Sequence, residues 1–237
     1  SFELAVDDAT IATTLDPTYS KAYARKARAL IQLANFSGAL DTVQEGIDKC
    51  PPKSSSLLRK ELARMSILQK QHEKSLEFLQ QKEYASAKSE LGNLLRETTA
   101  PMLLLQAAQA DLGMGLVDSA RRLCLQAVRG GRARQEQQNN NNLSASSSSN
   151  NNTSQEEPLA LLVQGQCNIL SAHNESEDNQ QMLESGIAFL RHAMRLDPDN
   201  QSAASVIKQW LKVSTLLKKA RQAAFQRRFD QAFVEYS

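Results

Sequence analysis

The sequence predicts an all-α protein, an α-α superhelix made of stacked helical hairpins, and three observations lead to that prediction. Apolar residues recur at helical rather than alternating spacing, as in Leu103, Leu104, Leu105, Ala107 and Ala108. Proline and glycine, which interrupt helices, number only 6 and 9 among 237 residues. Two segments also match each other at a fixed offset, which is typical of repeat proteins.

The repeat relates residues 2–17 to residues 36–51. FELAVDDATIATTLDP and FSGALDTVQEGIDKCP align at an offset of 34, which pairs Phe2 with Phe36, Ala5 with Ala39, Ala12 with Gly46 and Pro17 with Pro51. A small residue allows two helices to cross closely, an aromatic residue fills the turn, and proline stops the second helix. In the preceding helix, Tyr23, Ala27 and Leu30 share one packing face. The period and residue types resemble the tetratricopeptide-repeat family over residues 1–51.

Further helical pairs are predicted along the chain. Residues 82–129 are interpreted as the middle repeats, with Tyr84 and Ala87 beginning a second repeat helix. Residues 158–198 are interpreted as another repeat that ends at Pro198. Glycine inside a helix costs about 0.5–1 kcal/mol against alanine. We therefore expect Gly165 and Gly186 to lie where two helices pack closely.

Composition predicts the remaining boundaries. Residues 1–52 are expected to be the end of a first repeat module. Residues 53–81 are expected to form a spacer or capping helix. This helix should begin near Ser54 or Ser56, because serine is a good N-cap. Residues 130–157 are rich in Asn and Ser and bury too little to offset about 1–2 kcal/mol per residue of backbone ordering, so they are predicted to be a disordered insertion. Residues 199–228 are interpreted as a basic spacer helix, and residues 229–237 as the truncated start of another module.

Composition also limits the kinds of partner. A formal net charge of +2 with 23% charged residues does not suit a nucleic-acid-binding protein. No apolar run approaches the roughly 20 residues that span a bilayer, so no membrane partner is expected. Cys50, Cys124 and Cys167 are scattered and do not suggest a disulfide framework. A reducing compartment, the cytoplasm, is therefore the expected location.

No catalytic pattern is visible in the sequence. His72, His173 and His192 are far apart and lack a cysteine or second histidine at ligand spacing, so we expect no metal site and interpret each as a surface or rim residue. No nucleophile elbow, phosphate loop or dinucleotide fingerprint appears, so no cofactor is expected. The sequence predicts a protein without catalysis of its own.

Two cations in SKAYARKARALIQLANF supply the candidate binding site. Lys21 and Arg25 lie one helical turn apart, on the face opposite the packing residues. The segment resembles the carboxylate-clamp modules of tetratricopeptide-repeat co-chaperones. That resemblance implies that Lys21 and Arg25 bind the terminal aspartate of the acidic C-terminal tails of heat-shock seventy and ninety kilodalton chaperones. By the same resemblance, Lys218 is the candidate for a second clamp.

The order of the predicted modules narrows the resemblance to J-domain co-chaperones of subfamily C that carry tetratricopeptide repeats. This resemblance implies a J domain after Ser237 and a cytosolic co-chaperone scaffold as the function. One alternative is a tetratricopeptide scaffold for a non-chaperone assembly that binds internal peptides. A third interpretation, the regulatory domain of an enzyme, would require a catalytic domain elsewhere in the chain.

Overall fold

A computed structural model describes residues 2–141, 153–172 and 177–199, together with residues 204–205, 207–216, 218–220, 222 and 226. All regular structure in these ranges is helical, without a β-strand, which confirms the all-α prediction. The helices with defined bounds are α1 (Phe2–Leu15), α2 (Ser20–Gln32), α3 (Phe36–Lys49), α4 (Ser56–Gln80), α5 (Tyr84–Leu94), α6 (Pro101–Gly113), α7 (Val117–Asn141), α8 (Thr153–Ser171) and α9 (Glu177–Leu196).

The chain divides into two compact units, Ser1–Ser149 and Asn150–Ser237. In the first unit each helix from α1 to α7 packs against the next, and α2 also contacts α4. Three hairpins result, α2 with α3, α4 with α5, and α6 with α7. In the second unit α8 packs against α9. Each unit has its own hydrophobic core.

The three hairpins of the first unit turn in the same way. Three residues join the helices each time, at 33–35, 81–83 and 114–116. The middle residue has a positive φ in every turn: 58° at Ala34, 62° at Lys82 and 76° at Gly115. The amide after it donates to a carbonyl five residues back, in the pairs Asn35 to Leu30 (2.9 Å), Glu83 to Phe78 (2.8 Å) and Leu116 to Asp111 (2.8 Å). This left-handed turn satisfies carbonyl groups at the end of the first helix.

The α2–α3 hairpin confirms the helix pair and the close crossing predicted from the 34-residue offset. Asn35 caps α3, since its Oδ1 accepts the amide of Gly38 at 2.9 Å. Ala39 is fully buried. At Gly46, a Cβ would lie only 2.7 Å from Cγ of Tyr23. The small residues therefore let α3 cross α2 at close range.

The α8–α9 pair confirms the predicted glycine contact. A Cβ on Gly165 would lie 2.9 Å from the carbonyl oxygen of Gly186, and a Cβ on Gly186 would lie 2.8 Å from the carbonyl oxygen of Gly165. Cβ atoms in proteins essentially never lie within 3.0 Å of a neighbouring heavy atom of this kind. Glycine therefore brings the two backbones together here.

A buried ionic contact joins the second and third hairpins of the first unit. Lys88 Nζ of α5 lies 2.5 Å from Oδ1 of Asp111 of α6, and the Asp111 side chain is fully buried. Its Oδ2 has no hydrogen-bond partner in the described part of the chain. A buried carboxylate depends strongly on its single cation. The pair therefore ties the α4–α5 hairpin to α6.

The predicted spacer over residues 53–81 is a helix, as expected, but it does not stand apart from the hairpins. Helix α4 buries Leu58, Met65 and Leu68 and packs against both α3 and α5. The Lys82 turn then reverses the chain, so α4 is the first helix of a hairpin. The predicted boundary between residues 81 and 82 lies in this turn, but the pairing of α4 with α5 was not predicted, because lysine does not usually signal a left-handed conformation.

Helix boundaries also differ from the prediction around the Asn/Ser-rich segment. Helix α7 continues to Asn141 and α8 begins at Thr153, so both extend into the predicted insertion of residues 130–157. Residues 132–138 are mostly Arg, Gln, Glu and Ala, which favour helix without needing burial. Residues 142–152 lie outside the described residues. The described residues between 204 and 226 are helical, whereas residues 229–237 are not described.

Candidate functional site

The outer face of α2 presents the two predicted clamp cations. Lys21 and Arg25 are both exposed, whereas Tyr23 and Ala27 are buried on the opposite face. Residues four apart on a helix lie about 5–6 Å from each other between Cβ atoms. Neither cation makes an ion pair with any described residue. The helix therefore places two exposed positive groups side by side.

Beside these cations lies a hollow of about 560 Å³ between α1, α2 and α4. Arg25, Arg28 and Arg64 line it on the polar side, and Lys21 lies outside the lining. The small residues of α1, Ala5, Ala9 and Ala12, form the opposite wall. The lining thus combines three guanidinium groups with small and apolar side chains from α1 and α2.

A chain of ion pairs holds two of these arginines. Arg28 Nη2 binds Oε1 of Glu61 at 2.9 Å, and Arg64 Nη1 lies 3.7 Å from Oε2 of the same carboxylate. Arg64 also pairs with Glu97, whose backbone carbonyl accepts from Gln32 Nε2 at 3.0 Å. The hydrogen bond to Glu97 raises the pKa of Arg64 above its ordinary value. The network connects α2, α4 and the turn after α5.

Charge around the hollow is unevenly balanced. Its lining contains three arginines and one acid, Asp8, which gives a formal charge of +2 (three minus one). Glu61 and Glu97 form ion pairs with Arg28 and Arg64 and offset their positive charges. Arg25 is left as the cation of the lining that has no ion-pair partner in the described residues. An anion would therefore meet its strongest attraction near Arg25.

Comparisons with known proteins address the fold. No family model and no curated protein matches the chain. A solved structure, the TPR (tetratricopeptide-repeat) domain of P58(IPK), matches with a TM-score of 0.53 at 14% identity over 99% of this chain and 57% of that domain. The fold is a tetratricopeptide-repeat fold. The chain therefore spans little more than half the length of that TPR domain.

Within this TPR fold, the candidate for a second clamp lies in the other unit. Lys218 is exposed, and its Nζ lies 4.0 Å from Oε1 of Glu184 on α9. An ion pair at that distance on an exposed surface is weak. A clamp role for Lys218 stays a prediction.

The geometry of the TPR hairpins adds residues that sequence reasoning missed. Arg28 follows Arg25 by three positions, so helical spacing alone could have placed the two on one face. Arg64 and Glu61 belong to the next hairpin and are 36 positions or more away from Arg25 along the chain. No sequence motif links them to α2. The stacking of α4 beside α2 brings them to the hollow.

His72 differs from the predicted surface or rim position. Its ring is half-buried and lies 5.2 Å from the ring of Phe36 between centroids. Burial lowers the pKa of His72 below 6.5, and the neighbouring Gln106 and Glu73 partly oppose this effect. His192 is exposed on α9, as predicted, and His173 lies outside the described residues.

In the described part of the chain, no group of three or more His, Cys, Asp or Glu side chains is arranged to hold a metal ion. The described helices include none that is both long and apolar enough to cross a membrane. The three cysteines are buried, and none forms a disulfide in the described part of the chain. The hollow beside α2, with its three arginines, is therefore the candidate binding site in the described structure.

Proposed function

We propose that the chain is a protein–protein interaction scaffold that binds the acidic C-terminal end of a partner through Lys21 and Arg25. The observation that carries this proposal is a pair of exposed cations one turn apart on α2 that have no ion-pair partner among the described residues, with Arg25 lining a hollow. A guanidinium can bind a carboxylate with two hydrogen bonds, and such charge-assisted bonds are about twice as strong as neutral ones.

The partners that fit this chemistry are the heat-shock seventy and ninety kilodalton chaperones, through their acidic C-terminal tails. The resemblance of Lys21, Arg25 and their neighbours to co-chaperone clamps supports this choice. The order of modules most resembles the J-domain co-chaperone called subfamily C member seven, or tetratricopeptide repeat protein two. On this proposal the protein is cytoplasmic, has no catalytic activity of its own and acts upstream of a J domain.

Calorimetry with acidic C-terminal peptides tests the proposal on the full-length protein. We expect micromolar affinity, roughly −8 kcal/mol. Lys21→Ala and Arg25→Ala should each weaken binding at least tenfold, because each removes one charged donor. Lys60→Ala is the matched control, since Lys60 is exposed on α4 and lies outside the hollow.

A second peptide separates the main proposal from the alternative scaffold. Amidation of the C-terminus removes the terminal carboxylate but leaves the side chains unchanged. Loss of binding on amidation supports a clamp for chain ends. Equal binding of both forms contradicts the clamp and favours a scaffold that recognises internal peptides of a non-chaperone partner.

A further inference from the structure

Two arginines face the hollow although each already has an acidic partner. The side chains of Arg28 and Arg64 are 57% and 50% exposed, and both line the hollow beside Arg25. A guanidinium carries five N–H donors. The contacts with Glu61 and Glu97 occupy only some of these donors. The remaining donors have no partner in the described residues, so they can bind a further anion.

Glu61 fixes the two arginines before any ligand arrives. Its side chain is 12% exposed, and it contacts Arg28 of α2 and Arg64 of α4 at the same time. Its Oε2 is enclosed and has no hydrogen-bond partner in the described residues. A carboxylate held in this way restricts both guanidinium groups. Groups already in place lose less conformational freedom on binding.

We propose that Arg28 and Arg64 form a second anion subsite, which binds an acidic side chain of the same peptide whose C-terminal carboxylate binds Lys21 and Arg25. This inference rests on the proposed function. The ligand is a peptide with glutamate or aspartate shortly before its C-terminus. The hollow beside these guanidinium groups has a volume of about 560 Å³. Arg28 and Arg64 would thus determine specificity for acidic sequence, and Lys21 and Arg25 for the chain end.

A double-mutant cycle on the full-length protein tests this subsite. One peptide has four glutamates before a C-terminal aspartate, and the other has glutamines in their place. We expect the wild-type protein to bind the glutamate peptide roughly three- to tenfold more tightly. Arg64→Gln should reduce this ratio to about one. Arg59→Gln should preserve it, because Arg59 is an exposed arginine of α4 outside the hollow.

A second variant guards against a folding defect. Arg64→Gln removes contacts with both Glu61 and Glu97, whereas Arg28→Gln leaves the Arg64–Glu97 pair intact. Circular dichroism melting shows whether each variant is folded. A reduced glutamate preference in either folded variant supports the subsite. A preference that is unchanged in both overturns it.

The outcomes separate the subsite from the clamp. If amidation abolishes binding but glutamine substitution has no effect, the clamp stands and the subsite is wrong. If glutamine substitution weakens binding in an Arg64-dependent way but amidation has no effect, the subsite stands and the clamp is wrong. If neither peptide binds, both proposals are overturned.

Discussion

A single histidine makes the stability of the first unit depend on pH. The ring of His72 on α4 packs against Phe36 of α3, and its Nε2 is enclosed without a hydrogen-bond partner in the described residues. Burial disfavours the charged ring, so the pKa of His72 lies below its ordinary value. The folded chain therefore takes up this proton at a lower pH than the unfolded chain does.

We predict that His72 lowers the free energy of unfolding as the pH falls below about 6.5. The unfolded chain binds the proton first, so stability is lost until the pH passes below the folded pKa, and it is then constant. His72→Gln should flatten the dependence between pH 7 and pH 5, as measured by urea unfolding. His192→Gln, at an exposed position on α9, is the control. A pH dependence unchanged in His72→Gln would contradict the prediction.

At the scale of the element, the three hairpin turns share one backbone conformation but differ in the residue type at its left-handed position. Ala34, Lys82 and Gly115 all adopt positive φ. The left-handed conformation costs a residue with a Cβ about 1–2 kcal/mol, whereas glycine adopts it freely. The α6–α7 turn therefore has the suitable residue, and the other two turns carry strain that the stacked helices maintain.

We expect Ala34→Gly to raise the free energy of unfolding by up to about 1 kcal/mol, because relief of the turn exceeds the greater flexibility of glycine in the unfolded chain. Gly115→Ala should lower it by about 1 kcal/mol for the opposite reason. Chemical denaturation measures both changes. A shift of the midpoint in the same direction for both variants would show that turn conformation does not control stability here.

The helical elements were easier to predict than their partners. Phe36, Ala39, Gly46 and Pro51 predicted a helix pair because packing at a crossing and chain reversal depend on residues close in sequence. Asp111 shows the limit of such patterns. It follows Leu30 by 81 positions, the same offset that relates Ala120 to Ala39, yet it is an acid where Leu30 is apolar. Lys88 from another hairpin supplies a cation that offsets the cost of burying this carboxylate.

The binding hollow shows the same limit. Lys21 and Arg25 could be predicted because they lie on one helix. Arg64 and Glu61 could not, since they reach α2 only through the packing of α4 beside it. Spacing in the sequence predicts which residues are neighbours on one helix. It does not predict which helix of the next hairpin packs beside that helix.

At the scale of the whole molecule, the two units have separate cores and should respond separately to core variants. We predict that Gly186→Ala destabilises the second unit by about 1–3 kcal/mol, because the new Cβ would lie 2.8 Å from the Gly165 carbonyl oxygen. Hydrogen exchange should show faster amide exchange in α8 and α9. Helices α2 to α6 should keep their protection.

A matched glycine provides the control for this prediction. Gly92 lies within α5, and a Cβ there would have nothing within 4 Å. Gly92→Ala should therefore stabilise by about 0.5–1 kcal/mol, since alanine is the better helix former. If Gly92→Ala destabilised the protein as much as Gly186→Ala, the close contact would not be the cause.

The constant length of the hairpin turns indicates where this chain tolerates growth. In the first unit, the turns inside hairpins are three residues long, at 33–35, 81–83 and 114–116, whereas the joints between successive hairpins run over residues 50–55 and 95–100. Extra residues inside a turn would break its left-handed geometry, but a longer joint costs little closure entropy. An affinity tag or fluorescent reporter is therefore best spliced into a joint, such as the exposed stretch 51–54, so that every hairpin keeps its native register.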